Sequence, residues 1–319
     1  MILLGAVLTQ ILHLALMFVL APVVVGLIRL IKARLLGRQG PPVLQVWRDL
    51  LRLLRKQPVL AENASFVFTA APVAGLAAIA AAAALVPSFA LGMVTASLSD
   101  LIVLAGLLAL ARCTLALAAM DVGTSFGGIG ASREMTFAVF AEPALLMVFF
   151  TFALLAGSTN LDLIAELLRE GTLGVRVSLG LALLATTAVA IAETGRIPVD
   201  NPASHLELTM VHEAMILEYS GRHLALIEFA AALKLLLWLT LIAALFFPFG
   251  AAAPGAGPLA WAGGIAAWIA KLLVLAGALA WLETSLAKMR IFRVPEYLAV
   301  ALLLGVLAAV FLFVSTGFV

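Results

Sequence analysis

The run Ile2-Leu-Leu-Gly-Ala-Val-Leu-Thr-Gln-Ile-Leu-His-Leu-Ala-Leu-Met-Phe-Val-Leu-Ala-Pro-Val-Val-Val-Gly-Leu-Ile-Arg29-Leu30 sets the fold class. A helix needs roughly 20 apolar residues to cross a bilayer, and this run exceeds that. It lacks a basic start and is too long for a signal peptide's core, so it predicts a retained transmembrane helix. Working outward, further apolar stretches lie at about 66–86, 98–120, 135–157, 175–193, 224–247, 259–282 and 296–317. Breaks between them carry Pro, Gly or charge, as at Pro87, Asp121–Gly130, Arg196–Pro202, Pro248–Pro258 and Lys288–Pro295. The expected architecture is all-α, a polytopic membrane protein with about eight transmembrane helices in one domain over 1–319.

Composition agrees with that reading. Of 319 residues, 65% are hydrophobic and 11% charged, and the mean hydropathy is +1.20. A soluble domain is about 45–50% apolar and about 25% charged, so a soluble, disordered or collagen-like chain is excluded. The net charge of +2 is too small to imply a nucleic-acid partner. One cysteine, Cys113, excludes an internal disulfide and any cysteine-rich zinc or iron–sulfur site built within this chain.

Basic residues fix the expected orientation. Alternate loops and adjoining helix ends hold 14 of the 19: eight from Arg29 to Lys56, then Arg133, Arg196, Arg222, Lys288, Arg290 and Arg293. The opposite loops hold only Arg169 and Arg176. Positive charge stays cytoplasmic. The cytoplasmic loops are therefore expected at about 31–65, 121–134, 194–223 and 283–295, with both termini outside.

Three loops carry candidate chemistry. After Arg38-Gln-Gly-Pro41-Pro42, the residues Leu44, Trp47, Leu51 and Leu54 recur at helical spacing among Arg48, Arg52, Arg55 and Lys56. That pattern predicts an interfacial amphipathic helix, its basic side toward headgroups or a partner; the alternative is a topology anchor with snorkelling side chains. The stretch Asp121-Val-Gly-Thr-Ser-Phe-Gly-Gly-Ile-Gly130-Ala-Ser-Arg133-Glu134 holds four glycines, which suit a backbone that turns tightly or is approached closely. It matches neither a phosphate-binding loop nor a dinucleotide fingerprint. Glu142, next to Pro143 inside a span, reads either as part of an ion relay or as an acid paired with Arg112.

The fifth loop is the richest: Glu193-Thr-Gly-Arg196-Ile-Pro-Val-Asp200-Asn-Pro-Ala-Ser204-His205-Leu-Glu207, running on through His212-Glu213 to Glu218-Tyr219-Ser-Gly221. Ser204 could cap a helix from about His205 on which His205, His212 and Tyr219 share one face and Glu207 and Glu218 another. Ile216 stands where a zinc protease motif needs its second histidine. Acids and histidines between two spans suit proton handling, against the alternative of a solvated loop. Within spans lie Arg112, Lys234 and Lys271, with Glu228 a turn and a half before Lys234. Buried charges of this kind are functional or paired, and lysine can act in a relay.

Four segments in order carry a resemblance: Arg38-Gln-Gly-Pro-Pro, Ser132-Arg133-Glu134, Glu193-x-x-Arg196-x-Pro198-x-Asp200 and Glu218-Tyr219-Ser220-Gly221. Together they resemble the H-subunit family of respiratory complex I (NADH dehydrogenase subunit 1), which has eight transmembrane helices. The wording of Asp121–Phe126 and of Asp200–Met215 is more similar to its relatives in group 4 membrane-bound NiFe hydrogenases, the formate hydrogenlyase and energy-converting types. Val199, Ala203 and His205 replace a Phe and two acids of the quinone-binding homologues, which favours the hydrogenase branch.

The resemblance implies a non-catalytic membrane subunit that anchors a hydrophilic redox arm and couples hydrogen evolution to proton or ion translocation. It implies no cofactor in this chain. The NiFe centre and iron–sulfur clusters would sit in hydrophilic hydrogenase large and small subunits and an iron–sulfur subunit, beside antiporter-like membrane subunits in the cell's inner membrane. Arg38, Pro41, Arg133, Arg196 and Tyr219 would meet the hydrophilic arm. The ion path would use Glu134, Glu142, Glu193, Asp200, Glu207, Glu213, Glu218, His205, His212, Glu228, Lys234 and Lys271. The alternatives are a quinone-site subunit of a complex I-type oxidoreductase, a stand-alone secondary transporter and a purely structural anchor.

Overall fold

The computed structural model describes residues 2–170, 177–200 and 210–317. Among them the chain is helical, broken only by short turns and two isolated β-bridges, Ala90 to Ala252 and Asp100 to Asn160. In order the helices are α1 (Ile2–Leu35), α2 (Gln45–Leu54), α3 (Phe66–Leu85), α4 (Leu101–Asp121), α5 (Ser125–Ala156) and α6 (Leu161–Arg169). Then come α7 (Val177–Glu193), α8 (His212–Ile216), α9 (Gly221–Phe246), α10 (Pro258–Ser285) and α11 (Val294–Gly317). Seven described helices are long and apolar enough to cross a membrane, α1, α3, α4, α5, α9, α10 and the Ile291–Ser315 stretch containing α11. The 17-residue α7 stands in the eighth expected place.

Helix α9 is the axis. Its residues from Leu235 to Ala243 are buried without a break, because α1, α3 and α7 pack around it. Helix α4 joins α3 to α5, α11 lies against α5 and α7, and α10 flanks α1. Bilayer depth favours polar groups that are satisfied within the protein, and buried His13 pairs with the Ser88 hydroxyl at 2.7 Å and the Ala83 carbonyl at 2.9 Å.

Two loop expectations are corrected here. The glycine-rich stretch is not a loop beyond Thr124, whose side chain caps α5 by accepting the Gly127 N–H at 3.3 Å. A Cβ at Gly127 would stand 2.2 Å from the Ala119 carbonyl oxygen, and one at Gly130 would stand 3.0 Å from that of Val211. Gly127 and Gly130 thus serve close packing, and only Gly123, at φ +73°, makes the tight turn. The expected long helix through the fifth loop is, in its described part, the single turn α8, which ends before Tyr219. His212 and Tyr219 therefore do not share a helical face. Ser204, His205 and Glu207 lie outside the described residues.

Candidate functional site

A cavity of about 640 Å³ opens where the ends of α1, α3, α4, α5, α7, α9 and α10 meet. All these ends adjoin the basic loops. Ala71, Pro72, Gly75, Leu76 and Ile79 of α3 line it with apolar groups, and much of the remaining lining is charged. Carboxylates reach it from Glu134, Glu193, Asp200, Glu213, Glu228 and Glu283, and cations from Arg29, Lys32, Arg112, Arg196 and Lys234.

Arg112 organises the deepest part. It sits midway along α4 with a side chain 4% exposed, and its guanidinium meets three carboxylates from two other helices. Glu134 on α5 lies 3.5 Å from Nε, while Glu142 on α5 and Glu193 at the end of α7 take one terminal nitrogen each. Five donors in a planar fork make arginine the side chain able to do this. Lys234 on α9 approaches the other Glu193 oxygen at 2.7 Å. That oxygen has no hydrogen-bond partner of good angle, so we read the contact as an ion pair rather than a directed bond. Three carboxylates face two cations, and a fully ionised cluster would carry one excess negative charge. Uptake of one proton neutralises it, which is a chemically sufficient basis for proton storage in a low-dielectric site.

The segment after α7 is clamped from the opposite side. Arg196 donates to Glu283 at 3.0 Å, and Lys32 of α1 meets the second Glu283 oxygen at 2.7 Å. Lys288 pairs with Asp200 at 2.8 Å, and the Met289 N–H donates to the Pro198 carbonyl at 2.9 Å. The Asp200 carboxylate also accepts the His212 N–H at 3.4 Å.

Of the residues singled out in the sequence, Pro41, Glu134, Glu193, Arg196, Asp200, His212, Glu213, Glu228 and Lys234 converge on the cavity, and Glu142 joins through Arg112. Others do not. Glu218 and Arg38 are exposed away from it, and Arg133 donates to the Met210 carbonyl at 2.8 Å. Tyr219 is buried and stacked on Phe68 with ring centroids 4.0 Å apart, its hydroxyl donating to the Phe68 carbonyl at 2.9 Å. Burial pushes its phenol further up, with the nearby Asp121 charge adding to the effect. Lys271 lies at the far end of the bundle, 5.0 Å from the Phe249 ring centroid. The residues left out of the sequence reading of the site are Lys32, Glu283 and Lys288. A signal for Glu283 existed, since it is the only acid in α10.

Among the described residues no group of three or more His, Cys, Asp or Glu is arranged to hold a metal ion.

Known proteins share this sequence and architecture. The chain is 34% identical over 281 residues to formate hydrogenlyase subunit 4 of Escherichia coli (strain K12), covering 88% of this chain and 90% of the relative. It is 36% identical over 236 residues to hydrogenase-4 component C of the same organism, 74% of each chain. NADH-quinone oxidoreductase subunit 8 of Rhodothermus marinus is more distant, at 29% over 217 residues, or 66% of this chain and 62% of the relative. A chain of the membrane-bound sulfane sulfur reductase, an archaeal respiratory membrane complex, superposes with a TM-score of 0.78 over 97% of this chain and 99% of its own, at 21% identity. That likeness shows a common fold. The NADH dehydrogenase family pattern matches residues 8–314. This multi-pass membrane protein is a member of the NADH dehydrogenase (complex I subunit 1-like) family.

Proposed function

We propose that the chain is the membrane-embedded subunit of a complex I-like membrane-bound NiFe hydrogenase, anchoring the hydrophilic redox arm and passing protons or ions as hydrogen is evolved. The observation that carries this reading is the Arg112–Glu193–Lys234 cluster, opening on a charged cavity at the face of the basic loops. Identity to two hydrogenase subunits over most of the chain supports it. Under this reading, the NiFe centre and iron–sulfur clusters belong to partner chains and supply the electron chemistry. This chain's groups handle charge. Glu213, Glu228 and His212 collect protons at the cavity wall, Glu193 holds one between Arg112 and Lys234, and Glu134 and Glu142 compensate the guanidinium. The basic loops face the cytoplasm across the inner membrane, and both termini lie outside.

The test is gentle purification through a tag on this chain, with mass spectrometry of the co-purifying subunits, metal analysis and a hydrogen-evolution assay. Nickel, iron, antiporter-like subunits and hydrogen production are the expected result. A lone chain, or partners without nickel, would overturn the reading.

A second reading is favoured by the cavity itself. Its volume lies within the roughly 300–1,000 Å³ typical of small-molecule sites, and its α3 wall is apolar. A quinone-site subunit would retain quinone on purification and copurify with flavin and quinone-reductase activity.

A further inference from the structure

Helix α2 presents three separate faces. Leu50, only 3% exposed, points into the protein, and the Trp47 ring lies tilted against Phe229 of α9, at 46° with centroids 6.0 Å apart. A second face holds Leu44, Leu51 and Leu54, each about half exposed. The third holds Arg48, Arg52 and Arg55, all exposed, against the single acid Asp49, which approaches Arg52 only at 3.9 Å. A soluble helix docked on a protein needs two faces, one buried and one polar. An exposed leucine face beside an exposed cationic face is the pattern of a helix lying in the plane of a membrane boundary.

Its depth agrees. The Trp47 indole donates to the Val19 carbonyl of α1 at 3.1 Å. Val19 ends the outward apolar stripe of α1 that runs through Leu4, Leu8 and Ile11. From Leu4 to Val19 the rise is about 22 Å at 1.5 Å per residue, short of the roughly 30 Å hydrocarbon core. The Trp47 ring thus meets α1 within one span's length of Leu4, and the leucine face lies on the same helix pair as the exposed apolar stripe of α1. Gly26 and Gly40 hold this seating close: a Cβ at Gly26 would fall 2.0 Å from the Val43 carbonyl oxygen, and one at Gly40 would fall 3.1 Å from the Leu30 Cα.

We propose that the basic face of α2 is a binding surface for anionic phospholipid headgroups, with acyl chains packed along Leu44, Leu51 and Leu54. Three cations at the surface of a negatively charged leaflet, in the right plane and without carboxylate partners of good geometry, have the complementary charge. The proposal is independent of the hydrogenase reading, because it rests on α2 and α1 alone.

The experiment photolabels the purified complex in equimolar phosphatidylglycerol–phosphatidylcholine bilayers, using a diazirine-bearing form of one lipid at a time, and maps the labels by peptide mass spectrometry. Phosphatidylglycerol should label the peptide around α2 on the order of a hundredfold more than phosphatidylcholine, from three charges each contributing roughly fivefold. The R48Q/R52Q/R55Q variant should bring that ratio near one, and the corresponding triple lysine variant should restore it. Raised salt should lower the ratio in the unmodified complex, a readout that does not depend on any variant folding. Equal labelling by the two lipids, a preference that survives R48Q/R52Q/R55Q, or protection of α2 by a cross-linked partner subunit would each overturn the proposal.

Discussion

Arg112 illustrates why a residue can be conspicuous in a sequence while its role is hidden. A lone arginine within the apolar run of α4 is visible at once, but its partners come from α5, α7 and, through Glu193, α9. Nothing local links positions 112, 134, 142 and 193. The reading of Glu142 as either relay or paired acid is met by a geometry in which it touches Arg112, so pairing and any relay role share one cluster. Tyr219 shows the converse. Pro72 inside α3 has no N–H, which leaves the Phe68 carbonyl without its helical donor. The Tyr219 hydroxyl replaces that donor, so a residue marked by family resemblance for docking has a visible structural task. Tyr219→Phe should therefore cost about 1–3 kcal/mol, the range for a buried acceptor left unmade. Detergent thermal unfolding should show the loss; an unchanged melting temperature would mean the carbonyl finds another donor. Asp162 on α6 offers a pH test. Burial pushes its carboxyl above the ordinary range and the Glu166 charge adds to this, while the Gly92 N–H partly offsets both. A raised carboxyl contributes stability that is present below the unfolded value and is lost as pH rises through the folded one. Asp162→Asn should remove that loss, making the variant gain relative stability on going from acid to neutral pH. Parallel pH profiles for the two proteins would refute the burial argument.

At the scale of elements, the length of the apolar runs made the long helices legible, because a spanning segment must satisfy its backbone inside apolar surroundings. The short α6 sets leucines among charges and is capped by Asn160, whose side chain accepts the Leu163 N–H at 3.1 Å. The start of α5 was not legible. Glycines signal turns in most sequences, and here Gly127 and Gly130 are required by neighbouring carbonyls and side chains that only the folded bundle supplies. The segment from Thr194 to Asp200 was recognisable as charged, but its clamp was not, since Glu283 and Lys288 lie about 90 residues away in sequence. Glu283 bridges Lys32 and Arg196 with a side chain only 1% exposed. Glu283→Gln leaves its shape and removes the charge both cations need, so it should loosen the end of α7. Amide hydrogen exchange in the 194–200 segment should rise in that variant, while protection in the middle of α9 stays unchanged. Unaltered exchange at 194–200 would show that Lys288 and Asp200 hold the segment without Glu283.

Among the described residues, the buried ion pairs of the molecule gather at one end of the bundle. Spans, sidedness and family could be argued from composition, basic residues and four short segments, since each is a property of chain order. Convergence on a single cavity could not, because it depends on how seven helix ends meet around α9. This convergence is the physical core of the proposed function: a redox arm docked over the cavity would act on charges that reach the bundle interior through Glu193. Glu193 lines the cavity and touches both Arg112 and Lys234; under the proposed function its ionisation is the step on which coupling would turn. The most direct measurement compares the native complex and Glu193→Gln in sealed vesicles, following hydrogen evolution and ion movement together, with subunit composition checked by mass spectrometry. The account expects Glu193→Gln to keep all subunits and its metal content while ion movement per hydrogen evolved falls by at least about tenfold, the scale of losing one positioned proton carrier. Full assembly with unchanged ion movement per hydrogen would contradict it and leave the cluster as a structural tie within the membrane.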